Sequence, residues 1–207
     1  MVAARKLVIA IDCDDVLAPS VQALLEGYNA MFGTRVAMDH FYEPATMDTW
    51  GTDDVDLAKR QFEQYLRSDS YHPAVPFEDA IGAVATLAKT HELHLVTGRA
   101  EDREPETLRF VDDYFASCFT SIKHTNHFVS SEYSVVTRSK GEVCRELNAD
   151  LLIDDHIFHG RDALGAGLKQ VIIFGNYPWN QGELSKGAQR CFNWREVLEE
   201  VNKIAKR

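Results

Sequence analysis

Four nearly continuous apolar runs, Leu7-Val8-Ile9-Ala10-Ile11, Leu93-His94-Leu95-Val96, Leu151-Leu152-Ile153 and Val171-Ile172-Ile173-Phe174, alternate along this chain with segments of helical period. A weaker fifth run spans Cys118 to Ile122. Strands that are apolar on both faces suit a sheet covered on both faces, and parallel strands reach that state because their crossover helices do the covering. The pattern predicts an α/β fold: a Rossmann-like three-layer sandwich around a central parallel sheet. With 207 residues the chain can bury roughly 70% of its extended surface. A core of that size needs no disulfide or structural metal. Cys13, Cys118, Cys144 and Cys191 form no paired spacing and read as free thiols of a reducing compartment.

The helical segments carry their own signals. Ile81, Val84 and Ala88 share one face, and Pro105 suits the first turn of a helix that would bury Leu108, Val111 and Phe115. Ser139-Lys140-Gly141-Glu142 reads as a capping box ahead of Val143 and Leu147. Asn193 with Glu196 opens a final helix that uses Val197, Val201 and Ile204. One interval is out of step. From Asp12 to Glu92 the chain is far longer than a single crossover requires. Ser20 would cap a helix bearing Val21, Leu24, Tyr28 and Phe32, and Thr52 a second bearing Val55, Ala58, Phe62 and Tyr65. Phe41, Tyr42 and Trp50 lie between them, and Pro73 and Pro76 close the interval. Residues 19–76 are therefore expected to be a small helical insertion, with 1–18 and 77–207 forming the α/β core.

In an open parallel sheet the ligand lies beyond the carboxyl ends of the strands. The first run ends in Asp12-Cys13-Asp14-Asp15, the second in Thr97-Gly98-Arg99, and the third in Asp154-Asp155 after a helix beginning at Lys140. Clustered carboxylates raise one another's pKa unless a cation holds them ionised. Mg²⁺, which takes carboxylate, phosphate and water oxygens, suits such a set. It would also let an anionic phosphate approach a chain of net charge −10. That same charge argues against nucleic acid polymers and anionic membranes as partners. The early apolar run is too short for a signal segment or a membrane span, so a cytoplasmic protein acting on a small molecule is expected. Thr97 offers a hydroxyl, Gly98 close backbone approach, and Lys140 a point charge at a helix start where free N–H groups favour an anion. Residue order excludes a two-component receiver domain, in which the Thr and Lys follow the acceptor Asp.

Taken together, Ile9-Ala10-Ile11-Asp12-Cys13-Asp14-Asp15-Val16, Val96-Thr97-Gly98, Lys140 and Ile153-Asp154-Asp155 resemble the four motifs of haloacid dehalogenase superfamily phosphatases. The insertion is similar to that family's helical cap domain, closing over substrate. Thr125-Asn126-His127-Phe128 and Tyr177-Pro178-Trp179-Asn180 look most like the 5'-nucleotidase and deoxyribonucleotidase branch. The resemblance implies Asp12 as nucleophile, Asp14 as general acid and base, and Thr97, Gly98, Arg99 and Lys140 around the phosphoryl group. It implies Mg²⁺ held by Asp12, the Asp14 carbonyl and one of Asp154 or Asp155, with Asp154 favoured because it ends the strand directly. Retention of Asp14 favours phosphate esters over halides, because a departing halide needs no proton. The implied substrate is a small phosphate ester such as a nucleoside monophosphate. A sugar phosphate, or a binding protein without catalysis, is the alternative.

Four features stay open at the level of sequence. Asp15 stands where many relatives carry Gly, so its carboxylate either points away, meets a cationic substrate group or orders the metal shell. Arg99 is either a second phosphate clamp or a surface charge. The pairs His91/His94, His124/His127 and His156/His159 have metal-like spacing, but His91 and His94 straddle a strand start; His124, His127 and His156 either line the substrate pocket or are ordinary loop residues. Phe41, Tyr42 and Trp50 either stack on a base or form the insertion's own core.

Overall fold

The computed structural model describes residues 5–41, 47–126 and 138–207. Within them six parallel strands form one sheet: β1 Val8–Ile11, β2 Glu92–Thr97, β3 Ser121–His124, β4 Leu151–Asp154, β5 Gln170–Phe174 and β6 Ala188–Cys191. Their spatial order is β3-β2-β1-β4-β5-β6. The chain runs outward from β1 through β2 to β3, then returns to place β4 on the other side of β1. That reversal opens a crevice at the carboxyl ends of β1 and β4, where open α/β sheets bind their ligands.

Alternation along the strands supplies apolar side chains to both faces of the sheet. Ala10, Val96, Leu152, Val171 and Ile173 pack with Val143, Cys144, Ile157 and Ala163 from α5 (Lys140–Glu146) and α6 (Ile157–Gly165). Ile9, Ile11, Leu95, Ile153 and Ile172 alternate with them and are equally inaccessible. Full burial of each such side chain stabilises by about 1.5–3 kcal/mol. The helices α3 (Glu78–Ala88) and α7 (Trp194–Ala205) pack together, α3 also meeting β2.

Several local expectations are met. Ser139 and Glu142 form the reciprocal capping box of α5. Asn193 caps α7 through Glu196 N–H, although Glu196 answers to the N–H of Phe192 rather than that of Asn193. The four cysteines are free thiols. Other expectations shift. The strand assigned from Cys118 begins only at Ser121, because Cys118 N–H still bonds the Phe115 carbonyl at 2.9 Å in the turn after α4 (Glu104–Tyr114). Ile81 and Leu108 point outward, and α3 and α4 bury Ala80, Ala83, Val84, Leu87 and Thr107, Phe110, Val111 instead. No apolar run announces β6, an edge strand that pairs with β5 alone and exposes Gln189.

The chain divides into two compact units, residues 1–17 with 76–207 and residues 18–75. In the second unit, α1 (Ser20–Phe32) and α2 (Val55–Leu66) are joined by aromatic packing. Tyr28 meets Trp50 edge-on at 5.4 Å, and Phe41 lies 6.3 Å from Phe62. Trp50 and Phe41 thus belong to the unit's own core; Tyr42 lies outside the described residues. The helix starts differ from expectation. Ser20 is the first residue of α1 and makes no capping bond, while Asp54 caps α2 and Thr52 accepts the N–H of Asp54. In the first unit, the strand-bearing segments on either side of the insertion are joined by a bond from Phe77 N–H to the Leu17 carbonyl at 2.9 Å. No helix among the described residues is long and apolar enough to cross a membrane.

Candidate active site

The register of β1 against β4 continues past the strands, so that Asp12 N–H bonds the Ile153 carbonyl at 2.9 Å and carries Asp12 alongside Asp154. Asp12, Asp154 and Asp155 are all buried, and each offers a carboxylate oxygen within 4.8 Å of the others. Lys140, at the first position of α5, inserts its ammonium between two of them, 2.7 Å from Asp12 Oδ2 and 2.7 Å from Asp154 Oδ2. Its side chain is 2% exposed. The helix start behind it is less open to an anion than the sequence suggests. Gly141 N–H is bound by Asp162 Oδ2 at 2.7 Å and Glu142 N–H by Ser139. A side chain at Gly141 would collide with that Asp162 carboxylate.

Three carboxylates against one ammonium leave excess negative charge in a dry site, and the acidities record it. Burial pushes Asp12 up to about 7; the nearby Asp154 and Asp14 charges add to this, and Lys140 offsets only part. Burial, then Asp154 and Asp12, hold Asp155 well above the usual carboxylate range. Asp154 goes the other way. Burial would raise it too, but Lys140, His159 and the His156 N–H outweigh that and keep it ionised. Lys140 follows the same logic, with two carboxylates overcoming burial and raising its pKa. One ammonium can satisfy only some of its acidic neighbours, so the others retain protons until a further cation arrives.

The donor set fits a hard divalent ion. Asp12 Oδ1 is buried without a hydrogen-bond partner, an arrangement that costs free energy unless something binds there. Both oxygens of Asp154 are already engaged, Oδ2 by Lys140 and Oδ1 by His156 N–H at 2.9 Å. Asp155 is bound at Oδ2 by the Trp179 indole at 2.5 Å. An all-oxygen set that, once ionised, carries two charges beyond the one Lys140 balances is what Mg²⁺ suits.

The remaining sequence candidates form a second layer. Arg99 grips Asp14 through both oxygens, Nε to Oδ2 at 2.8 Å and Nη2 to Oδ1 at 2.6 Å. At 11% side-chain exposure it is no surface charge. Thr97 is fully buried, its hydroxyl accepting Arg99 N–H at 3.2 Å, and Gly98 lies buried between them. Asp15 takes a φ of 56°, the left-handed conformation that Gly enters freely and that Asp tolerates better than most residues. That explains which backbone shape the position demands. A cleft of about 540 Å³ opens beside Lys140, with Thr125, Ser139, Phe158 and His159 in its walls.

Several histidines of these pairs make local contacts. His91 accepts Leu7 N–H, His94 bonds Ser121 Oγ at 2.8 Å, and His156 caps α6 through Phe158 N–H. Among the described residues none of them joins a group suited to metal binding. His124 Nδ1 lies 3.3 Å from the Arg99 carbonyl; His127 and Phe128 fall outside the described residues. Sequence reasoning missed two contacts here, Arg99 on Asp14 and Trp179 on Asp155, because neither pair has any signal at its sequence separation.

No known family model and no curated protein matches the sequence. Solved structures do match it along nearly its full length. A haloacid dehalogenase-like hydrolase from Streptococcus pneumoniae superposes with a TM-score of 0.67 at 16% identity, covering 94% of this chain and 98% of that one. A putative beta-phosphoglucomutase from Thermotoga maritima gives 0.62 at 15%, covering 95% and 99%. A putative hydrolase of the same family from Bacillus subtilis, bound to magnesium, gives 0.62 at 14%, covering 96% and 99%. By the course of its backbone, the chain has the fold of the haloacid dehalogenase-like hydrolases.

Proposed function

We propose that this chain is a Mg²⁺-dependent phosphomonoesterase of the haloacid dehalogenase type, working through an aspartyl-phosphate. The observation that carries the reading is Asp12: a buried carboxylate with one oxygen on Lys140 and the other unpartnered, beside Asp154 and Asp155. Asp12 attacks phosphorus, forming the new P–O bond as the ester bond to the leaving alkoxide breaks. Asp14 gives the alkoxide its proton, then takes one from the water that attacks the aspartyl-phosphate, releasing inorganic phosphate and restoring Asp12. Both Asp14 oxygens accept from Arg99 here, so one of those bonds opens for each transfer while Arg99 holds the other oxygen in place. Lys140 and the Thr97 hydroxyl neutralise and position the phosphoryl group. Mg²⁺, when bound, supplies the positive charge that lets a dianionic ester enter this acidic pocket.

Of the two strand-end carboxylates, Asp155 is our choice for the ligand rather than Asp154. Asp154 has both oxygens committed to Lys140 and His156, whereas Asp155 keeps Oδ1. Residues 18–75 are assigned as the cap domain. For the substrate, a sugar phosphate or similarly small ester comes before a nucleoside monophosphate. The Thermotoga structure is named for a phosphosugar mutase, and none of the three relatives is named as a nucleotidase. We expect hydrolysis of an aryl phosphate with Mg²⁺, its abolition by EDTA, and loss of at least about 10³-fold in kcat for Asp12→Asn with the fold retained. Turnover by that variant would overturn the nucleophile assignment. A panel of sugar phosphates and nucleoside monophosphates compared by kcat/KM decides the substrate class.

A further inference from the structure

The segment Tyr177-Pro178-Trp179-Asn180 follows β5, and the chemistry above makes no use of it. Pro178–Asn180 form a single tight turn, two of whose side chains, Trp179 and Asn180, bond to Asp155. Trp179 Nε1 donates to Asp155 Oδ2 at 2.5 Å. Its ring lies flat on that of Tyr177, the centroids 4.8 Å apart and the planes within 2°. Tyr177 in turn donates its hydroxyl to the Asp15 carbonyl at 2.8 Å, which ties the stack to the loop after β1. Asn180 Nδ2 bonds the Asp155 carbonyl at 3.0 Å and the Phe174 carbonyl at 2.9 Å, and its own oxygens are held by Arg190. Gly175, at φ 77°, lets the chain turn beneath the Tyr177 ring, which a Cβ there would strike at 2.4 Å.

Such a clamp is costly to build around a side chain with no task. Asp155 is nearly fully buried among other carboxylates, so a donor that fixes one of its oxygens also determines where the second one stands. Donors to metal-ligating groups act in this way, fixing the ligand's orientation before the ion arrives. We propose that Trp179 is a metal-positioning residue: its indole N–H holds Asp155 Oδ2 and reserves Oδ1 for the divalent cation, so that the Tyr177–Trp179 stack sets the affinity of the site. The inference rests on the proposal that Asp155 is a Mg²⁺ ligand.

The test is calorimetric titration of the whole chain with Mg²⁺, backed by thermal melts with EDTA and with increasing Mg²⁺. The wild type is expected to bind, Asp155→Asn to lose binding, and Trp179→Phe to bind roughly 10–100-fold more weakly. Trp179→Phe keeps a ring on Tyr177 but strips buried Asp155 Oδ2 of its donor, so its melting temperature in EDTA should fall modestly, while the metal needed to raise it increases by the same factor as the loss of affinity. Turnover lost at low Mg²⁺ should return as the metal is raised, and Trp179→His, which keeps a ring N–H, should bind more tightly than Trp179→Phe. Binding by Trp179→Phe within about threefold of the wild type, with Asp155→Asn inactive in binding, overturns the role of Trp179 alone. Binding by Asp155→Asn equal to the wild type, or no binding by the wild type, overturns the metal reading beneath it. If Trp179→Phe does not fold, Tyr177→Leu carries the same test: it keeps the indole but removes its support, and an unchanged affinity refutes the proposal.

Discussion

Replacing Lys140 by Met isolates the electrostatic cost of the site. The stem of Lys140 is packed as tightly as any core residue, and Met fills nearly the same volume, so little of the effect should come from a cavity. What disappears is the ammonium lying 2.7 Å from both Asp12 and Asp154. Removing one partner from a buried ion pair costs about 3–5 kcal/mol, because the charge left behind has no water to turn to. For a chain of this size that corresponds to a fall of roughly 6–20 °C in melting temperature. Asp12 already sits at about 7 in the folded chain against an ordinary 3.8, and Lys140 is the influence that lowers it. Without Lys140 it rises further and the folded state clings harder to its proton. A carboxyl raised on folding contributes stability in acid that is lost as pH climbs from its unfolded value through its folded one. The metal-free wild type should therefore lose this contribution between about pH 4 and 7, and the variant should go on losing stability above that. Thermal melts in EDTA at pH 5 and pH 8 measure the gap. It should be widest at pH 8, narrow at pH 5, and shrink when Mg²⁺ is added. A gap independent of pH, or below about 1 kcal/mol, would show that Lys140 is not compensating buried carboxylates.

Arg99→Lys should lower kcat by about 10-fold or more with a smaller change in KM, since a single ammonium cannot hold both oxygens of Asp14 as the guanidinium does. Steady-state kinetics on an aryl phosphate decide this, and wild-type turnover would remove Arg99 from the account. At Asp15, Val should be less stable than Gly by about 1–2 kcal/mol in urea unfolding, because both delete the carboxylate but only Val resists a φ of 56°. Equal stabilities would mean that backbone conformation is not what that position selects.

The parts of this molecule that read clearly from sequence are those set by neighbours in the chain. The apolar runs at Leu7, Leu93, Leu151 and Val171 became β1, β2, β4 and β5, because burial on both faces writes itself into consecutive residues. Ser139 with Glu142 closed its capping box for the same reason: its partners are three residues apart. The edge strand β6 was invisible, since Ala188-Gln189-Arg190-Cys191 pairs through the backbone of β5 and buries only Cys191, too little to write an apolar run. The outward turn of Ile81 and Leu108 shows the limit of periodicity, which gives the spacing of a helix face but not which of two semi-apolar faces meets the sheet. The strand-end carboxylates were legible from the fold rule alone. Their division of labour was not, because it depends on which oxygen Lys140, His156 and Trp179 each occupy.

The bond from Phe77 N–H to the Leu17 carbonyl has an evolutionary consequence. The inserted unit departs from and rejoins the strand-bearing unit at one stitched point, as a detour does from a road. The strand registers and the bonds to Asp12, Asp154 and Asp155 described above all lie within the strand-bearing unit. If residues 18–75 are the cap proposed above, what is recognised can change with the detour while the strand-end carboxylates stay as they are.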